Sequence, residues 1–321
     1  MTLRLGTRRS PLALHQAGMA KAALEAAEPG LDVELVELVS DGDLDERQLT
    51  QIAERGIFAA RLERALRDGE VDAAVHSSKD LPLEPTDDLV LAAWLPRADP
   101  RDALVGVGPR GLDELALGAT IATGSARRIA ALRTLRSDLV ARPVRGNVRT
   151  RIERATERGD AASLLALAGL ERLGITAERG DIYPLPVDQF VPEAGQGAVV
   201  IQARAHIDAA TGFHWARIDH TATRRTATLE RELSRLLDGG CTRPVGVHVQ
   251  LDKQRIHAFL APSLDDVGTR IALDVVGLEL APLLSVAAPA DVDDAAHWCA
   301  ARVLPLVHAA LAAAGFTVVS Q

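Results

Sequence analysis

The stretch "VDAAVHSSKDLP", residues 71–82, begins as a short apolar run, passes through His76 and ends in a polar turn closed by proline. Valine and alanine followed at once by Ser-Ser-Lys-Asp read as a strand, 71–77, with a functional-looking turn at its carboxyl end. Upstream and downstream, "LRLGT" (3–7), "VELVELV" (33–39) and "LVLAAWL" (89–95) read as further strands, and the apolar spacing predicts helices at about 11–27 and 57–68. Strands alternating with helices predict an α/β unit around a mostly parallel sheet with helices on both faces.

The segment "PRADPRDALVG" (96–106), with two prolines and four charges, reads as a crossing between domains. A second α/β series follows: strands "TIATG" (120–124), "LVARPVR" (139–145) and "SLLALAG" (163–169), with helices at 126–137 and 147–158. "LPVDQFVPEAGQGAVVIQAR" (185–204) reads as another crossing. Helix 221–237, an antiparallel meander over 245–277 and a long helix at about 292–314 then predict a small α+β domain. The polar stretch 40–51 is expected to form a mobile lid.

At 321 residues and 47% apolar content the chain can bury two or three cores. It contains no run of eighteen apolar residues, and "MTLRLGTRRSPLALHQ" breaks each apolar run with arginine or a turn residue. Neither a membrane span nor a secretory segment is expected, which points to the cytoplasm. The net charge of −8 argues against a surface built for nucleic acid. Cys241 and Cys299 follow no ligand or disulfide spacing and read as free thiols. Cys299 lies in a helical apolar pattern and is expected in a core; Cys241, in "LLDGGCTRPVG" (236–246), sits in an open glycine turn.

Charge is distributed unevenly. Between Arg127 and Arg158 there are ten arginines against Asp138, Glu153 and Glu157, so this segment calls for anions. In open α/β sheets ligands bind beyond the carboxyl ends of strands. Thr7, Arg8 and Ser10, then His76, Ser77, Lys79 and Asp80, fall there in the first series. Thr123, Ser125, Arg127, Arg128, Arg145 and Arg172 do so in the second.

Taken singly, each has an ordinary reading. Arg8 or Arg172 alone would be a solvated surface arginine, Ser125 a helix N-cap, His76 a satisfied structural histidine and Asp80 a salt-bridge partner. Their convergence on strand ends favours an anion-lined cleft between two domains. Arg127 and Arg128 open a helix, where positive charge opposes the dipole, so an anion docked there would offset the penalty. No P-loop, dinucleotide fingerprint or metal-ligand cluster appears. Asp80, alone among these bases, could accept N–H groups and stabilise developing positive charge.

Together "GTRRSPLALHQA", "VDAAVHSSKDLP", "DPRDALV", "RGNVRTR", "LALAGLERLG", "AGQGAVVI" and "LDGGCTRPVG" resemble, in order and spacing, the porphobilinogen deaminase (hydroxymethylbilane synthase) family. The resemblance runs over nearly the whole chain and is weakest beyond the cysteine turn. It implies two α/β domains with mixed sheets, like those of periplasmic binding proteins, and a small C-terminal α+β domain. The expected boundaries are 1–95 with 198–216, 96–197 and 217–321.

It also implies a transferase of porphyrin and haem synthesis. Four porphobilinogen molecules condense with loss of ammonia on a dipyrromethane cofactor, joined by a thioether to Cys241, and hydrolysis releases 1-hydroxymethylbilane. Carried over by position, Asp80 is the catalytic carboxylate. Lys79, Ser77, Thr123, Ser125, Arg127, Arg128 and Arg145 hold the cofactor, and Arg8, Arg145, Arg151, Arg172 and Gln196 hold substrate. The resemblance further implies a monomer that passes its product to the next enzyme of the pathway, with no nucleic acid, membrane or metal.

Gly124, Arg55, Ala60 with Arg61, and Gln202 depart from the family's usual residues, and Arg149 is an added base. A non-catalytic two-domain protein that binds a small anion would also explain the arginines, but not Asp80 or the cysteine turn. A nucleic-acid binder would explain only residues 127–158.

Overall fold

Alternate residues of β3 (Ala73–Ser77) go to opposite faces of a sheet, and both faces are covered. In the computed structural model, which describes residues 2–38, 54–86, 88–106, 111–205, 213–238, 244–263, 266–275, 280–285 and 289–315, Ala73 and Val75 pack with Leu3, Leu5, Val33 and the Ala17, Ala20 and Leu24 face of α1 (Pro11–Ala27). Ala74 packs on the other side with Leu62, Ala65 and Leu66 of α2 (Glu54–Arg67). Ser10 starts α1, its hydroxyl accepting the Ala13 N–H, and Pro11 supplies a first helical residue whose missing N–H costs nothing there. Cys241 and the stretch 40–51 lie outside the described residues.

The first sheet runs β2-β1-β3-β10-β4. β1 (Thr2–Arg8) lies parallel to β2 (Asp32–Leu38) and β3, while β10 (Val199–Arg204) is antiparallel to both β3 and β4 (Leu89–Trp94). The second sheet repeats this plan as β7-β6-β8-β5-β9. There β6 (Thr120–Ala122) is parallel to β7 (Val140–Arg142) and β8 (Ala162–Ala166), and β5 (Asp102–Val105) is antiparallel to β8 and β9 (Ile182–Pro184). Both sheets are therefore mixed, as the family resemblance implies, whereas the residue pattern alone pointed to mostly parallel ones.

The inserted antiparallel strands are those that the residue pattern hid. β5 is entirely buried but only four residues long, and it sits inside the proline-flanked stretch read as a crossing. β10 is buried from Val199 to Ala203, yet the Pro, Gly and Gln residues before it dominated the reading. A third difference concerns "SLLALAG": β8 stops at Ala166 and Leu167 already begins α5 (Leu167–Arg172). Leu167, Ala168, Gly169 and Leu170 are all buried, and a continuous apolar run does not distinguish a buried strand from a buried helix.

Helices α3 (Ala126–Leu135) and α4 (Val148–Glu157) cover opposite faces of the second sheet. Ala130 and Ala131 of α3 pack with Leu104, Ile121 and Leu164; Ile152 of α4 packs with Ala103, Val105 and Leu165. The short helix α6 (Ile175–Glu178) follows α5. The last sheet is antiparallel, in the order β11 (Val245–Gln250), β12 (Arg255–Leu260) and β13 (Thr269–Asp274). Leu229, Leu233 and Leu237 of α7 (Thr221–Asp238) pack against it, with α8 (Ala281–Ser285) and α9 (Pro289–Ala313). Cys299 is fully buried in that core as a free thiol, and burial pushes its pKa up.

By contacts the chain divides into two units. One comprises Met1–Ala98, Ala198–Arg224 and Ala287–Ala290; the other comprises Asp99–Gly197, Arg225–Val286 and Asp291–Gln321. Among the described residues no helix is long and apolar enough to cross a membrane.

Candidate functional site

In the first unit the polar groups meet at the carboxyl edge of the sheet. β1 ends at Arg8, β3 ends at Ser77, and a single 3-10 turn, Ser78–Asp80, follows. The register pairs Ser77 with Val199, and the Ser78 N–H donates to the Ala198 carbonyl at 3.0 Å, so β10 buttresses the turn. Arg8, Ser10, Gln16, His76, Ser77 and Asp80 line one concavity there. Arg8, Ser77 and Asp80 are thus brought together, and Lys79 lies on the same turn. Thr7 is fully buried and donates to the Ala13 carbonyl at 3.2 Å, a structural role.

Gln16 did not stand out in the sequence. It is 4% exposed, and its Nε2 has no hydrogen-bond partner among the described residues. A buried amide donor left open costs about 1–3 kcal/mol unless an acceptor arrives. Its place five residues after Pro11, on the buried face of α1, was the only available signal.

In the second unit the centre is Asp102, a residue that the sequence reading passed over. Its register partner is Ala166, which sets it at the carboxyl edge of β8, and it is fully buried. Arg127 donates from Nη2 to Oδ2 at 2.7 Å, Arg128 donates from Nε to Oδ1 at 2.9 Å, and Gln196 donates from Nε2 to Oδ1 at 3.0 Å. Arg127 also bonds the Val191 carbonyl at 2.7 Å and Arg128 the Leu164 carbonyl at 3.0 Å. Both arginines are buried.

The anion that the arginine pair at the start of α3 called for is therefore supplied by the chain itself. Two guanidinium groups against one carboxylate still leave an excess positive charge, and Arg127 Nε has no partner among the described residues. The only short signal for Asp102 was its position between "DPR" and an apolar triplet.

The remaining residues spread along the same edge. Thr123 is buried after β6, and its Oγ1 accepts the Ser125 N–H at 3.4 Å. Ser125 occupies the N-cap of α3 without a side-chain capping bond. Arg172 ends α5; Nη2 donates to the Gly197 carbonyl at 2.6 Å, Nε has no partner among the described residues, and burial pulls its pKa below the usual arginine value.

Arg145 is exposed, one residue before Gly146. Gly146 has φ of +112° and a Cβ there would come within 2.8 Å of Thr150, so only glycine suits this turn. Asn147 then caps α4 by accepting the Thr150 N–H, and Arg151 folds back to the Gly146 carbonyl at 2.7 Å.

The departures at Arg61, Gln202 and Gly124, and the added Arg149, have local explanations. Arg149 pairs with Glu178 through two 2.8 Å bonds, and Arg61 pairs with Glu70 at 2.7 Å. Gln202 donates to Glu63 at 3.2 Å. A Cβ on Gly124 would stand 3.2 Å from the Val144 carbonyl, a tight fit for any larger residue. Arg55 has no described side chain.

Among solved structures the chain is similar to the methionine binding protein MetQ, at 16% identity and a TM-score of 0.43, covering 78% of this chain and 99% of that one. It is also similar to the periplasmic sulfonate-binding protein SsuA from Methylobacillus flagellatus KT, at 13% identity and a TM-score of 0.41, covering 75% and 70%. Among curated proteins it is 41% identical over 258 residues to a porphobilinogen deaminase of Thermobifida fusca (strain YX), covering 79% of this chain and 80% of the relative. Residues 3–211 match the family described as "Porphobilinogen deaminase, dipyromethane cofactor binding domain". On the strength of that match and that relative, the chain belongs to the porphobilinogen deaminase family.

Proposed function

We propose that this chain condenses porphobilinogen with Asp80 as its catalytic carboxylate and Cys241 as the attachment point of its cofactor. Family membership makes it a hydroxymethylbilane synthase of tetrapyrrole synthesis, a transferase that uses dipyrromethane. The observation that carries the assignment of roles is the concavity that groups Asp80 with Arg8, Gln16 and Ser77.

The residues present fit a ligand that has pyrrole N–H groups and carboxylate arms. Asp80 is an acceptor for N–H groups, whereas Arg8 and the Nε2 of Gln16, without a partner among the described residues, are donors for carboxylates. The cofactor, when bound, supplies the primer to which pyrroles are added. Asp80 accepts the pyrrole N–H of the incoming substrate and stabilises the positive charge that develops as ammonia departs. Arg8, Arg145, Arg151 and Arg172 hold acetate and propionate arms, so that the reacting carbons are placed before bond formation. Lys79, Ser77, Thr123 and Ser125 bind the primer. Arg127, Arg128 and Gln196 contribute through the fixed charge centred on Asp102.

The same reading divides the chain into 1–95 with 198–216, 96–197 and 217–321. It takes the protein as a cytoplasmic monomer that hands 1-hydroxymethylbilane to the next enzyme of the pathway. Purified protein given porphobilinogen should release ammonia in proportion to substrate consumed and form a linear tetrapyrrole. Tight binding of porphobilinogen with no ammonia released would favour the anion-binding alternative.

A further inference from the structure

The concavity at the carboxyl edge of the first sheet has apolar as well as polar walls. Leu12, Ala13, Ala59 and Val75 line it, and Gln16 stands among them beside Arg8 and Asp80. Its volume is about 70 Å³. Pockets that enclose a whole small molecule run to about 300–1,000 Å³, so this one suits a single arm of a ligand.

Gln16 is held from behind. It belongs to the face of α1 whose Ala17, Ala20 and Leu24 are fully buried in the core of the first sheet, and it is itself 4% exposed. Its Nε2 nevertheless has no hydrogen-bond partner among the described residues. Leu12 and Ala13 form part of the first turn of the same helix, so the positive end of the α1 dipole opens on the concavity as well. An open buried N–H₂ group, a helix N-terminus and apolar walls together suit a carboxylate carried on a short methylene stem.

We infer that Gln16 is a specificity-determining residue for porphobilinogen: Nε2 donates to the carboxylate of one acidic arm, and the apolar wall takes the stem of that arm. The inference rests on the reading of this concavity as the place where substrate meets Asp80, and adds a neutral, buried contact to the arginines. A guanidinium attracts anions from a distance. A buried amide favours only a ligand whose acceptor arrives at one point, and an analogue without that acceptor leaves it unpaired.

The test compares the purified holoenzyme with Gln16→Leu on porphobilinogen and on two analogues, one with methyl in place of the acetate arm and one with ethyl in place of the propionate arm. Ammonia release gives kcat and KM for each. With porphobilinogen, Gln16→Leu should raise KM by about 10–100-fold, the worth of one hydrogen bond to a charged group, and keep kcat within about threefold. For one analogue the penalty of the missing arm should be smaller in Gln16→Leu than in the wild type by about the same factor, and that analogue identifies the arm. Since Gln16→Leu breaks no Nε2 bond among the described residues, the melting temperature without substrate should match the wild type or rise.

A KM within about twofold of the wild type, or penalties that are the same in both proteins for both analogues, would overturn the inference. A Gln16→Leu chain that melts far below the wild type or does not fold would overturn it too, because the amide would then be bonded within the chain. Normal turnover by Asp80→Asn would sink the reading of the concavity itself. Loss of turnover in Asp80→Asn beside an unchanged Gln16→Leu would sink this inference alone.

Discussion

Nε2 of Gln196 donates to Oδ1 of Asp102 over 3.0 Å, and the same oxygen takes the Nε–H of Arg128 at 2.9 Å. A glutamine from the segment just before β10 and an arginine from the start of α3 are therefore aimed by one buried carboxylate.

Removing that carboxylate strands two buried guanidinium groups. Asp102→Ala should destabilise the protein by about 3–5 kcal/mol, the usual cost of breaking a buried pair from one side. Gln196→Ala, which removes the bond to that charged acceptor and a 2.7 Å bond to the Pro100 carbonyl, should cost about 1.5–3 kcal/mol. Urea unfolding of both variants checks the order; equal effects would mean that the arginines find other partners.

Much of the fold was legible from residues 71–82 outward because strands with buried faces and helices with apolar stripes differ in period. The first helix, read as 11–27, is Pro11–Ala27, marked by its serine cap and N-terminal proline. β5 and β10 were not legible, since a four-residue strand and a strand behind a glycine turn offer too little pattern. The arginines announced an anion requirement, but not that Asp102 would meet part of it; charge balance between residues 102 and 127 depends on strand register, which no local pattern encodes.

Gly246 tests how closely β11 lies on the segment at 191–192. Gly246→Ala places a methyl group 2.8 Å from the Val191 carbonyl and 3.0 Å from that of Pro192, both backbone atoms, so the strand itself must shift. A loss of about 1–3 kcal/mol is expected, as for other overpacked sites. Gly180→Ala, which meets nothing within 4 Å, should change stability by less than about 0.5 kcal/mol. Differential scanning calorimetry of the pair compares them directly.

Burial holds the pKa of His257 below the usual histidine value, with the neighbouring His248 and Arg255 adding to the shift. The folded protein therefore disfavours the protonated ring. Stability from this site is complete above the unfolded value of about 6.5 and is lost as pH falls through the lower folded value. Urea midpoints measured from pH 7.5 down to pH 5 should fall less steeply for His257→Gln than for the wild type. Parallel curves would mean that the ring stays neutral for another reason, or titrates as it does in the unfolded chain.

Asp80→Asn preserves the shape of the 3-10 turn but removes the negative charge. Turnover of porphobilinogen should drop by about 10²–10³-fold, as when a single preorganised charge-stabilising group is lost, while the chain still carries its cofactor. Steady-state kinetics together with the mass of the variant separate the two effects. Normal turnover would remove Asp80 from the chemistry.

The central claim, a primer tethered at Cys241 beside residues that build on it, is tested most directly by the intact mass of protein made in cells with a working tetrapyrrole pathway. The wild type should be heavier than its sequence by two pyrrole units, and Cys241→Ser should have the mass of the bare chain and be inactive. A wild-type chain at its sequence mass, or the added mass persisting in Cys241→Ser, would contradict the account.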